Sequence, residues 1–163
     1  KVMKKVLVLL TLLIAGFLGN SQDYDWGVGA RGGVIASGLT GKYFLEPDKA
    51  VEGVLTRKGG ANLTGTLLTA LYEIHKPFHA RTLSITSLSW YYGFGAHAGS
   101  FSRVGLSTGF STIGVNGVFG LEYIIETIPF SLSLDVMPTW SSASEFYDNN
   151  LFDISFSLRY IMK

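Results

Sequence analysis

The sequence has no cysteine in its 163 residues. Disulfides, thiolate metal sites and cysteine nucleophiles are therefore excluded. Charge is scarce as well. Asp, Glu, Lys and Arg make up 15% of the chain, against about 25% in an average soluble domain. There are four prolines and three histidines. Long stretches with a 3.6-residue apolar period are missing, and beyond residue 18 no apolar run approaches the ~18 residues of a spanning helix. The chain also lacks a basic surplus. Residues 1–22 carry three lysines and no acid, which leaves ten basic against twelve acidic residues in the remainder. Nothing there attracts nucleic acid.

The first segment, "KVMKKVLVLLTLLIAGFLGNSQ", accounts for the one strongly apolar run. Lys1, Lys4 and Lys5 precede thirteen apolar-rich residues, Val6 to Leu18, and small or polar residues follow. This is the layout of a secretory signal peptide over residues 1–22, with cleavage expected near Ser21 or Gln22. The apolar stretch is too short for a membrane anchor, which needs ~20 residues. Residues 23–163 then form one domain.

What that domain has in quantity is alternation, with 20 glycines in the whole chain and 13% aromatic residues. Eight strands are predicted, at about 25–35, 37–45, 50–58, 62–76, 86–100, 112–126, 128–140 and 150–161. Turn chemistry separates them: "EPDK" at 46–49, "RKGGAN" at 57–62, "HKPFHA" at 75–80, "ETIP" at 126–129 and "SSASEFYDNN" at 141–150. The segment 37–45 also suits a short helix, but an even strand number favours a strand. In 128–140, Phe130, Leu132, Leu134, Val136 and Trp140 share one face, while Ser131, Ser133 and Asp135 share the other. The remaining strands repeat the division. Their polar face is mostly Gly and Ser with isolated charges, and Gly93, Gly95 and Gly99 leave space on it. That composition suits the crowded lumen of a narrow barrel better than a solvated outer surface.

The segments "GLTGKYFLEPDKAVEGVL", "LYEIHKPF", "LSWYYGFGAHAG", "IGVNGVFGLEYIIETIPFSLSLDVMP" and "ISFSLRY" resemble the small outer-membrane β-barrel proteins of Gram-negative bacteria, of the outer-membrane protein A and X type. The resemblance covers most of residues 25 to 160. It implies an all-β fold, an eight-stranded antiparallel up-and-down transmembrane barrel in the outer membrane. One feature departs from that pattern. Such barrels usually end on an aromatic residue, whereas here Tyr160 is followed by Ile161, Met162 and Lys163.

On this reading Arg31, Lys42, Glu52, Glu73, His97, Glu122, Asp135, Asp153 and Arg159 form a lumen charge network, in which Asp135 needs Arg31, Lys42 or Arg159 as a partner. Trp26, Tyr43, Trp90, Trp140 and Tyr160 are expected at the lipid interfaces. Leu132→Arg should block membrane folding, and Ser133→Ala should be nearly silent. His75 and His79 flank a predicted turn, and Pro77 argues against the helix that would bring them to one metal. No metal or cofactor is expected, and no catalytic residue.

The expected role is structural or surface-interactive, with the lumen closed by side chains. The expected partners are outer-membrane lipid and lipopolysaccharide, the barrel-assembly machinery, and surface contacts through loops 101–111 and 141–150. Three other roles compete: a narrow small-solute channel, a lipid A-modifying hydrolase, and a soluble ligand-carrying barrel. The hydrolase needs His and Ser on one strand face, yet Ser100 and Ser102 both have the opposite parity to His97.

Overall fold

The computed structural model describes residues 24–58, 63–78, 87–103, 109–142 and 152–162. Residues 1–22 lie outside them. Eight strands run in chain order: β1 (Trp26–Gly33), β2 (Ser37–Glu46), β3 (Lys49–Lys58), β4 (Leu63–Pro77), β5 (Leu88–Arg103), β6 (Gly109–Ile125), β7 (Phe130–Ser141) and β8 (Phe152–Met162). Each pairs antiparallel with its sequence neighbours, and β1 pairs with β8 to close the barrel. Closure satisfies every ladder without an edge, which a strand protein in lipid requires. Segment 37–45 is therefore strand, not helix: seven β2 residues pair with β1 and nine with β3.

Two turns at one end follow their residues closely. Pro47 and Asp48 turn β2 into β3, with proline fixing φ. The Lys49 ammonium donates to Glu46 at 2.5 Å, and Lys76 pairs with Asp48 at 3.2 Å. Residues 126–129 turn β6 into β7. The other end carries the outer parts of β5 and β6. These strands have 16 and 17 residues, against 8 to 12 for β1, β2, β3, β7 and β8. Most of the loop expected at 101–111 is thus strand, with Phe101 pairing Phe110 and Ser102 pairing Gly109. Alternation holds at both ends of that stretch, and residues 104–108 lie outside the described set. The expected loop 141–150 begins with Ser141 in β7, and residues 143–150 are outside the described set.

Pro138 interrupts the β6–β7 ladder. Pairing runs Asn116 to Thr139, then resumes at Phe119 with Val136. Proline has no N–H to give. Gly117 opposite leaves room for its ring, since an added Cβ there would lie 3.1 Å from Pro138 Cγ.

The two faces are inverted relative to a soluble protein. Leu39, Leu68, Phe94, Ile113, Val115, Phe119, Trp140 and Phe152 each expose more than half of their surface (55–68%). The lumen holds Arg31, Lys42, Glu52, Glu73, Glu122, Asp135 and Arg159, each exposed 2% or less. An apolar wall of that extent calls for lipid. Phe130, Leu132, Leu134, Val136 and Trp140 lie on it, with Ser131, Ser133 and Asp135 buried behind. Four of the five expected interfacial aromatics, Trp26, Tyr43, Trp90 and Tyr160, collect toward the turn end, and Trp140 stands near the opposite end of β7.

Candidate functional site

Every strand contributes one member to a single buried network. β1 gives Arg31, β2 Lys42, β3 Glu52, β4 Glu73, β5 Tyr91, β6 Glu122, β7 Asp135 and β8 Arg159. Alternation turns each of them inward, and a one-residue slip of any strand would turn its member to lipid.

The ions sort by partner. Arg31 grips Asp135 with both terminal nitrogens, Nη1 donating to Oδ2 at 3.0 Å, and lies 3.8 Å from Glu52. Asp135 also accepts from the Tyr91 hydroxyl at 2.9 Å and from Ser155 at 3.0 Å. Arg159 spreads its fork across three strands. Nη2 donates to Glu52 at 2.5 Å, Nη1 to Ser133 at 2.8 Å, and Nε to Thr40 at 3.2 Å. Lys42 is the hub for the glutamates, at 2.8 Å from Glu73, 3.5 Å from Glu52 and 3.6 Å from Glu122. Its ammonium also stands 4.3 Å from the Tyr91 ring centroid. Glu122 accepts from Tyr24 at 2.7 Å and from Ser131 at 3.0 Å. The expected cation for Asp135 is thus Arg31. Three basic side chains, Arg31, Lys42 and Arg159, face four carboxyl groups, Glu52, Glu73, Glu122 and Asp135.

Tyr91 reaches Asp135 because β6 has a glycine beneath it. Tyr91, Gly120 and Asp135 are in register across β5, β6 and β7. A Cβ at Gly120 would lie 2.6 Å from Tyr91 Cζ.

The sequence reading needs three corrections here. His75, shared between the predicted strand 62–76 and the predicted turn 75–80, belongs to strand β4 alone: it is 5% exposed, inside the lumen, 3.1 Å from Glu73 and stacked on Tyr91 at 4.8 Å. Strand β4 runs on to Pro77, its last residue, where the missing N–H costs little. His79 lies outside the described residues, and no cluster suited to a metal occurs among the described ones. Second, Ser133 is an acceptor for Arg159, so its loss is expected to cost stability. Third, the nine-residue charge network is not one group. Asp153 sits at the β1–β2 turn and accepts from the Ile35 amide at 3.1 Å. His97 lies on a separate level, 2.7 Å from Asn116. Between it and the ions is a layer of Val54, Leu71, Val118 and Met137. Each is the next lumen position after Glu52, Glu73, Gly120 or Asp135. Ser100 and Ser102 face outward, as their parity requires.

Tyr24, His75 and Tyr91 were not among the expected network residues. Alternation marks Tyr91 and His75 as inward, but an aromatic ring carries no sign of charge pairing. Tyr24 precedes β1 and had no strand period to place it.

Neither a protein-family model nor a curated protein matches the chain. Solved structures do. The crystal structure of the N-terminal β-barrel domain of Pseudomonas aeruginosa OprF superposes with a TM-score of 0.62 at 13% identity, covering 83% of this chain and 96% of that one. The structure of Ail, the attachment invasion locus protein of Yersinia pestis, gives 0.46 at 16% identity, covering 84% and 93%. With lipid-facing apolar residues outside, charges inside and the OprF domain as its likeness, the chain has the fold of a small eight-stranded outer-membrane-type β-barrel.

Proposed function

We propose that this protein is a structural and surface-interacting barrel of the outer membrane, with its lumen sealed by the charge network. The observation that carries the reading is the network itself, one member from each of eight strands. An eight-strand barrel has room only for side chains, and these are paired rather than solvated. The ions bind the strands to one register. The apolar wall rests in lipid and against lipopolysaccharide. The turns at 47–48 and 126–129 face the periplasm, as short turns do. The longer β5–β6 hairpin then projects outward and offers the surface for contact with a partner. Insertion falls to the barrel-assembly machinery.

Recording across a planar bilayer tests the seal. The purified barrel should give no steady conductance above the bare membrane. Large, reproducible steps would establish a channel instead. Heat-modifiable migration after detergent extraction should accompany folding, and a chain that stays soluble and monomeric without detergent would refute the membrane assignment.

A further inference from the structure

The level of the lumen around His97 contains a chain of hydrogen bonds whose direction is fixed as far as His97 Nδ1. It starts from a group that can only accept, the Met137 carbonyl. Thr139 donates its one hydroxyl proton there at 3.3 Å. Thr139 Oγ1 must then accept, and Asn116 Nδ2 donates to it at 2.8 Å. That sets the Asn116 amide with Oδ1 toward His97 Nδ1 at 2.7 Å. An amide oxygen only accepts, so Nδ1 carries the imidazole proton. In the neutral ring the lone pair is then on Nε2, and Nε2 faces the Ser141 hydroxyl at 3.4 Å. Serine, an imidazole whose neutral form turns its base nitrogen toward the hydroxyl, and a side chain that fixes the tautomer are the parts of a nucleophilic relay.

The backbone is arranged for this contact. His97, Gly114 and Ser141 stand in register on β5, β6 and β7. A Cβ at Gly114 would lie 2.5 Å from His97 Cε1 and 2.7 Å from Nε2. The missing side chain is what lets the ring cross β6. Ser141 is half-buried at the end of β7, beside the exposed Ser142. Thr112 Oγ1 contacts Ser141 Oγ and lies 3.5 Å from Ser142 Oγ. Ser142 Oγ accepts from the Ile113 amide at 3.1 Å, so its own proton is available to donate.

We propose that Ser141, His97 and Asn116 form a serine esterase site at the far rim of the barrel, acting on esters with a short acyl group. The acyl group is short because the lumen beside the site is filled, by Val118 and Met137 on one side and by Leu67 and Phe101 on the other. Ser141 Oγ bonds to the ester carbonyl carbon, its proton passes to His97 Nε2, and the carbonyl electron pair moves onto oxygen. The Thr112 hydroxyl donates to Ser141 Oγ when Ser141 turns to His97, so the Ser142 hydroxyl, whose oxygen accepts from the Ile113 amide, is the donor beside the carbonyl oxygen. Collapse breaks the bond to the alcohol, which leaves with the proton from Nε2. Water then attacks the acyl-serine, again through Nε2, and releases the acid and free Ser141. Asn116 is a positioning residue that holds the tautomer.

The test uses the full chain folded in detergent micelles, with a fluorophosphonate probe and p-nitrophenyl acetate. The probe should label Ser141, mapped by peptide mass spectrometry, and heat-denatured protein should not be labelled. Ser141→Ala should abolish labelling and turnover. His97→Gln should lower turnover by about 10²- to 10⁴-fold, the range of general-base catalysis. Asn116→Leu should lower turnover at unchanged KM, and Asn116→Asp, which keeps an acceptor for Nδ1, should restore most of it. Heat-modifiable migration of each variant reports folding. A folded wild-type barrel that takes up no probe at Ser141, or turnover that survives in folded Ser141→Ala, overturns the proposal and leaves a structural hydrogen-bond network.

Discussion

Arg159→Met puts the lumen network to its most demanding test. Arg159 is fully buried and has no water to fall back on. Its guanidinium holds Glu52 at 2.5 Å and lies 3.6 Å from Glu122, while also donating to Ser133 and Thr40. Methionine keeps the volume and removes the charge. Two basic side chains would then face four carboxyl groups in a desolvated interior. Breaking a buried ion pair on one side costs about 3–5 kcal/mol, since the other charge stays behind unpaired. The hydrogen bonds to Ser133 and Thr40 go as well, so the upper part of that range is expected. Glu73→Gln perturbs the opposite side of the balance. It removes one of four carboxyl groups where three basic side chains are present, and the amide retains most of the shape. Its cost should stay within about 1 kcal/mol. Combined with Arg159→Met, Glu52→Gln should recover part of the loss, because the two groups touch and their effects are not additive. Urea unfolding of the barrel from lipid vesicles, followed by the fluorescence of Trp26, Trp90 and Trp140, gives all of these values. Equal costs for Arg159→Met and Glu73→Gln would refute the charge balance drawn from the geometry. So would a cost below about 1 kcal/mol for Arg159→Met.

Further outcomes are expected of the same unfolding assay. Leu134→Arg places a cation on a wall position that is 54% exposed and should cost up to about 2–4 kcal/mol, depending on depth in the bilayer. Ser133→Ala should cost about 1–3 kcal/mol, because one buried donor of Arg159 loses its acceptor; a silent result would mean the bond at 2.8 Å contributes nothing. Tyr91→Phe removes a donor to Asp135 and should cost about 1.5–3 kcal/mol, as hydrogen bonds to charged groups do. Gly120→Ala should destabilise more than alanine at Gly41, where an added Cβ would meet nothing nearer than 3.9 Å; equal effects would show that the Tyr91 ring does not depend on the gap.

Much of the architecture was legible because strand parity is a local property. Leu132, Ser133, Leu134 and Asp135 alternate whatever lies beside them, and the wall and lumen follow. Parity also placed Ser100 and Ser102 outside. What it does not carry is the identity of partners. Arg159 meets Glu52 at a separation of 107 residues, and Arg31 meets Asp135 at 104. The inward Val54, Leu71, Val118 and Met137 are chemically the same as lipid-facing residues, so the layered lumen was not visible beforehand. The predicted strand 62–76 ends one residue short of Pro77, and its overlap with the turn residues 75–80 left His75 assigned to both. The stretch at 101–111 read as a loop, although Phe101 and Ser102 pair with Phe110 and Gly109 and continue the ladder. The relay through His97 needed the register of three strands, because its serine lies across Gly114 on β7 and not beside it on β5.

The inside-out arrangement is tested most directly along β8. With no native cysteine, single cysteines can be placed at Ile154, Ser155 and Phe156 without background. After folding into vesicles that contain brominated lipid, a fluorophore on Ile154→Cys and on Phe156→Cys should be quenched by the lipid and not by aqueous iodide. Ser155→Cys should stay unreactive toward a water-soluble maleimide until the barrel is unfolded. Iodide quenching at 154 and 156, or ready labelling at 155, would contradict a barrel that turns its apolar side chains to lipid and seals its charges inside.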